Sequence, residues 1–151
     1  GGKPSLEARL LDLGSGRAVR VVSVHFKAGS DGLDLREQQY QGLARVLAVG
    51  DADARVVLGD FNATEPRDRE LLQGLADQVG LTWASAPLPC TSYWDQRRRC
   101  VGSALDHVLM SSKPHAIAAA GACAEVGCDA AQRCPLAART ISDHCPVVVE
   151  W

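Results

Sequence analysis

Residues 55–62 read RVVLGDFN, and residues 142–149 read SDHCPVVV. The first is an apolar run of strand length that ends in Asp60 and, two positions on, Asn62. In the second, Asp143 and His144 stand directly before another apolar run. A third stretch, residues 103–110 (SALDHVLM), carries Asp106 and His107 within an apolar segment. Strands that deliver Asp, Asn and His at their ends are one way for an α/β protein to build a metal-assisted phosphoester site. The three stretches together make a constellation, where each alone is an ordinary turn or strand cap.

Around them the pattern of the chain predicts the rest. Leu6, Ala8 and Leu10 alternate with Glu7 and Arg9, Gly14-Ser15-Gly16 turns the chain, and residues 17–25 read as a more buried strand, together a hairpin. Over residues 35–49, Tyr40, Leu43, Val46 and Leu47 recur at helical spacing, so one helix face packs on a sheet. Gly50 ends that helix. Residues 62–69 read as a polar loop and 70–78 as a second helix with Leu71, Leu72 and Leu75 inward. Residues 83–102 form a long irregular segment, and 104–110 and 146–151 are the last strands. No linker interrupts residues 1–151, which read as one domain.

GDFN, ALDHVL and SDHCPV, in this order, resemble the endonuclease/exonuclease/phosphatase superfamily, the deoxyribonuclease-I-like proteins. Residues 21–29 (VVSVHFKAG) look like that family's strand ending in a site His, and Arg36 and Gln39 resemble its next helix. The resemblance implies an α/β (α+β) fold: half of a four-layer α/β/β/α sandwich, its mixed sheet mostly antiparallel and flanked by helices. The half is the C-terminal one. The family's early Asn and its Gln-Glu, whose Glu is a principal metal ligand, have no counterpart here, since Glu7 lacks that context. The resemblance therefore also implies a missing N-terminal half supplied in trans, or self-association through the apolar face that half would cover.

The family's chemistry is hydrolysis of a phosphoester, by in-line attack of water on phosphorus. Its sites neutralise phosphoryl charge, activate water and stabilise the leaving oxygen. Mg²⁺ is the implied ion, with Mn²⁺ or Ca²⁺ as alternatives, because hard cations take oxygen ligands. Asp143 and Asp60 resemble metal-side ligands, and Asp60 also resembles the residue that activates water. Asn62 would orient that water or a phosphoryl oxygen, and His144 would donate to a nonbridging oxygen. Asp106 would hold His144 in one tautomer, and His25 resembles the position that contacts the phosphate. Lys27, Tyr93, Trp94 and Arg97 are candidate substrate contacts, each with a plainer role open to it. A surface lysine, residues packed under a loop and a solvated arginine run are those roles. His107, one residue beyond Asp106, should face the other side of its strand.

The formal net charge is −2, so no global field draws in a polyanion, and the one basic cluster is residues 97–99. The substrate class stays open among nucleic acid, lipid head groups and nucleotides. A noncatalytic or fragmentary half-domain, acting as a binding or structural module, is the competing reading. No apolar run reaches the length of a membrane span. Six cysteines in 151 residues point to disulfides rather than zinc, since no matched Cys-x-x-Cys pairs occur, and hence to a secreted or periplasmic protein. Cys90 and Cys100 bracket a short segment and are expected to pair with each other. One more bridge is expected among Cys123, Cys128 and Cys134. Cys145 corresponds to a position where the family often buries a cysteine, and is expected as a free thiol.

Overall fold

The computed structural model describes residues 3–50, 52–96, 99–129 and 133–151. Its centre is a five-stranded sheet built from β1 (Leu6–Leu11), β2 (Ala18–His25), β3 (Ala54–Asp60), β4 (Thr82–Trp83) and β7 (Asp106–Met110), in the order β1-β2-β3-β7-β4. Every pairing is antiparallel except β2 with β3. That one parallel step needs a crossover, and helix α1 (Leu33–Leu47) supplies it. Helix α2 (Pro66–Val79) lies beside α1. Two small antiparallel ribbons complete the chain: β5 (Ser92–Asp95) with β6 (Cys100–Ser103), and β8 (Ala116–Ala119) with β9 (Val147–Glu150). Short helices α3 (Ala122–Glu125) and α4 (Leu136–Thr140) lie between them.

Strand alternation sorts the sheet's two faces. Val22, Val24, Val57 and Leu109 point toward the helices and pack with Tyr40, Leu43, Leu47, Leu72 and Leu75 in the main core. The opposite face presents Val19, Val21, Val56, Leu58, Val108 and Met110. The β8–β9 ribbon covers part of it through Ile117, Val147 and Val149. The rest is an open apolar groove of about 420 Å³ lined by Leu10, Leu11, Val21 and Trp151 among others. Layers of helix, sheet and partial second sheet make half of a sandwich, mostly antiparallel and helix-flanked, as expected.

The differences from expectation have local causes. Helix α2 starts at Pro66, inside the stretch read as a polar loop. Glu65 caps the helix in a reciprocal capping box with Asp68, and Pro66 takes the first turn. Polar composition there marked a helix start. Cys90 and Cys100 do not pair, because the β5–β6 register sets Cys100 opposite Asp95. Five residues of extended chain separate Asp95 from Cys90, roughly 16 Å, beyond the reach of a disulfide. The bridges are Cys90–Cys128, Cys100–Cys134 and Cys123–Cys145. Cys145 is thus bonded, and Cys123, Cys128 and Cys134 each join a partner outside their own group.

Candidate active site

The sheet register builds the site. His25 stands opposite Asp60 in the β2–β3 pair, and Asp60 opposite Asp106 in the β3–β7 pair. One row across three strand ends therefore carries an imidazole and two carboxylates on one face. His25 Nε2 lies 3.5 Å from Asp60 Oδ2. The close approach of β2 and β3 beneath them requires Gly59, where a Cβ would sit 2.0 Å from the Val24 carbonyl oxygen.

Beyond Asp60 the chain turns sharply. Asn62 has a φ of 49°, in the left-handed region that Asn tolerates better than most residues. Its backbone N–H donates to Asp60 Oδ1 at 2.8 Å, and its Nδ2 donates to Asp60 Oδ2 at 2.9 Å and to the Phe26 carbonyl at 3.1 Å. The Asx turn and the site are the same object: Asp60 caps the turn while its carboxylate still faces the cleft. Burial pushes the Asp60 carboxyl above its ordinary range, opposed by the Asn62 N–H and reinforced by the charge of Asp106.

His144 reaches this row from a different part of the chain. Its Nδ1 lies 2.8 Å from Asp106 Oδ2. That hydrogen bond, ahead of the charges of Asp106, Asp60 and Asp143, pushes the imidazole up to about 9 against the opposing effect of burial. Asp143, one residue before His144, shares with His144, His25, Asp60 and Asn62 a cleft of about 730 Å³. The oxygen donors there, Asp60, Asn62 and Asp143, are of the hard kind that suits Mg²⁺. Among the described residues, however, no three His, Cys, Asp or Glu side chains converge as metal ligands. The donor chemistry is of a kind that fits a magnesium ion, and these residues alone do not make a full ligand set.

The model of the endonuclease/exonuclease/phosphatase family matches residues 6–144. The chain belongs to that family. No curated protein sequence matches it. Solved structures of the family's fold do. TDP2 of D. rerio complexed with a single-strand DNA product is 14% identical with a TM-score of 0.60, over 78% of this chain and 52% of that one. The human nocturnin catalytic domain with bound sulfate is 21% identical with a TM-score of 0.55, over 96% and 52%. The inositol polyphosphate 5-phosphatase domain of SPsynaptojanin, in complex with inositol (1,4)-bisphosphate and calcium, is 17% identical with a TM-score of 0.56, over 97% and 54%. The chain spans about half the length of each. At these identities the likeness is one of fold.

Against this family frame the remaining expected residues divide. Lys27 lines the cleft, with its Nζ donating to the Ala28 carbonyl at 2.7 Å. Trp94 is 63% exposed at the rim. Tyr93, expected among the substrate contacts, is only 3% exposed, and its hydroxyl lies 2.9 and 2.8 Å from the carbonyls of Ala122 and Gly127. Tyr93 still lines the cleft, but period-two alternation turns most of its ring inward where Trp94 turns out. Arg97 lies outside the described residues. His107 faces the helices, with Nδ1 3.1 Å from Ser85 Oγ, and burial drives its pKa down to about 4, so it stays neutral.

Sequence reading missed two supporting interactions. Thr91, fully buried, donates from Oγ1 to Asp106 Oδ2 at 2.9 Å and accepts from the Leu105 and Asp106 N–H groups at 3.0 and 2.8 Å. Arg36 and Asp68, each 0% exposed, form a two-bond ion pair at 2.6 and 2.7 Å. Arg36 also donates to the carbonyls of Lys27 and Gly29 at 3.0 and 2.7 Å, fixing the loop that walls the cleft. The resemblance placed Arg36 on its helix, but its partner lay in the stretch read as loop.

Proposed function

We propose that this chain is the C-terminal half of a Mg²⁺-dependent phosphoester hydrolase, a nuclease, phosphodiesterase or phosphatase. The observation that supports this most is the row His25–Asp60–Asp106, joined by His144 from a remote segment. Folding alone does not call for four titratable groups at adjoining strand ends. Asp60, with Asn62 bound to both its oxygens, would orient the attacking water and accept its proton. Its burial makes it a better base than a solvated Asp. His144, held by Asp106 and carrying a proton at neutral pH, would donate from Nε2 to a phosphoryl oxygen as charge develops. His25 would contact the phosphate from the opposite side of Asp60. Asp60 and Asp143 would contribute oxygen ligands to Mg²⁺, whose chemistry is to neutralise phosphoryl charge.

The rest of the reading concerns partners and place. Nucleic acid, a lipid head group or a nucleotide each fits a cleft with one exposed Trp and one Lys at its edge. The open apolar face suits a complementary polypeptide carrying the remaining half of the family's domain and its metal-ligand Glu. Leu6 and Leu10 are exposed on the strand at its margin. Three disulfides indicate an oxidising environment, and we place the protein outside the cell or in the periplasm. Among the described residues no helix is long and apolar enough to cross a membrane. The incomplete ligand set favours, as a second reading, a module that binds without turning over.

Titration of Mg²⁺ into ¹⁵N-labelled protein tests the reading, alongside the native mass of the purified material. Shifts confined to Asp60, Asn62, Asp143 and His144, and lost in Asp60→Asn, are expected. Shifts elsewhere, or none at tens of millimolar Mg²⁺, would refute the metal site. A second polypeptide in the native mass is expected, and a homodimer or a monomer would remove the complementary half from the account.

A further inference from the structure

The residues of the cleft hang on two different kinds of core. His25, Asp60 and Asn62 follow strands anchored by Val22, Val24, Val57 and the aromatic cluster of Phe26, Tyr40 and Phe61. Thr91, Trp94, Asp143 and His144 belong to a lobe whose buried cluster is Cys90, Tyr93, Cys100, Cys123, Cys134 and Cys145, with Ala119, Ala122, Ala138 and Cys128 at its margin. That cluster contains no large aliphatic side chain. β7, which lies between these segments in the chain, packs in the aliphatic clusters of the main sheet, but the cysteine cluster itself buries too little hydrocarbon to organise the segments around it by the hydrophobic effect alone.

Covalent bonds replace that effect, and one of them sits against the site. Residues 141–146 contain no helix or strand beyond one antiparallel bridge, between His144 and Ser92. They are held by the Cys145 N–H donating to the Thr91 carbonyl at 2.7 Å and by the Tyr93 N–H donating to the Asp143 carbonyl at 2.8 Å. The His144–Asp106 hydrogen bond and contacts to Ala137 and Ala120 add to these, and the covalent tether is the Cys123–Cys145 bridge, which begins one residue after His144. The Cys123 N–H donates to Cys145 Sγ at 3.2 Å, so the bridge is seated on the first turn of α3.

We propose that these disulfides are the positioning device of the site, so that its assembly depends on redox state. With the bridges formed, Asp143 and His144 are held against Asp60 and Asp106. With them reduced, this lobe comes apart while the sheet carrying His25, Asp60 and Asn62 stays folded. Each bridge opens by accepting two electrons and two protons from a dithiol, which leaves as its own cyclic disulfide. Each closes by passing them to a disulfide oxidant, which is released as two thiols. The consequence for turnover rests on the proposed hydrolase reading; the structural claim does not.

Amide hydrogen exchange on the whole chain tests it, first oxidised and then in excess dithiothreitol, with titration confirming six free thiols. The amides of Thr91, Tyr93 and Cys145 are expected to exchange at least about 100-fold faster after reduction, as loss of loop constraint implies. Those of Val57 and Leu109 stay protected, and oxidised glutathione restores the first set. Retained protection at Thr91, Tyr93 and Cys145 in the six-thiol state would overturn the proposal. Equal loss at Val57 and Leu109 would overturn it too, by showing one core instead of two. Should dithiothreitol fail to reach the buried bridges, the double variant Cys123→Ala, Cys145→Ala reads the same point, with faster exchange expected at Tyr93 and unchanged exchange fatal. Turnover measured on the same samples separates the two claims. Oxidised protein, natively purified with its second polypeptide and yet without turnover, counts against the hydrolase reading and leaves the exchange result standing.

Discussion

Replacing Asp106 by Asn keeps the side chain's shape and removes the charge that His144 leans on. His144 Nδ1 lies 2.8 Å from Asp106 Oδ2, and the imidazole is raised from 6.5 to about 9, with that hydrogen bond as the largest cause. Such a displacement sets a ceiling of about 3.4 kcal/mol for the pairing, at ~1.36 kcal/mol per pH unit. The ring is 35% exposed, so solvent screening brings the expected cost of Asp106→Asn to about 1–2 kcal/mol. The sign follows from the direction of the shift. A group whose pKa is raised on folding stabilises fully below its unfolded value near 6.5, and that stability drains away as pH rises through about 9. The variant should therefore be most destabilised near pH 6 and approach the wild type above pH 9. Urea unfolding at pH 6 and pH 9.5, with NMR titration of the imidazole, measures both quantities. A wild-type His144 that titrates at its ordinary value would refute the reasoning. So would a destabilisation that does not shrink with rising pH.

Other perturbations probe the supports of the site. Asp68→Ala leaves the Arg36 guanidinium buried without its partner, and should cost about 3–5 kcal/mol in urea unfolding; a loss under about 1 kcal/mol would contradict the assigned burial. Gly59→Ala drives a Cβ to 2.0 Å from the Val24 carbonyl, so thermal melts should show a loss above about 3 kcal/mol or no folded protein. A well-folded variant would mean that β2 and β3 are not this close. Trp94→Ala, at an exposed position, should change stability by less than about 0.5 kcal/mol while raising KM with kcat unchanged. An unchanged KM would remove Trp94 from the substrate contacts.

What could be read from the sequence was whatever depends on local pattern. The apolar runs ending in Asp60 and beginning after His144 placed β3 and β9. The alternation around Gly14-Ser15-Gly16 placed the β1–β2 hairpin. The order of the short motifs identified the family, and the model match over residues 6–144 agrees. Long-range pairings could not be read. Cys90 and Cys100 are close in sequence, yet the ribbon between them is extended and carries them apart. Tyr93 and Trp94 are neighbours of similar character, and only the register of β5 decides which is buried. Thr91 has no motif, since its role arises when an irregular segment folds against β7. Pro66 and Glu65 were local signals of a helix start, hidden within a polar stretch.

The most direct measurement is hydrolysis of a chromogenic phosphodiester by natively purified, oxidised protein. It would be run with Mg²⁺ and then with EDTA, for the wild type and for His144→Ala. The account predicts turnover that requires the ion and falls by about 10²–10⁴-fold in the variant. Equal rates in EDTA, or a His144→Ala protein as active as the wild type, would contradict it.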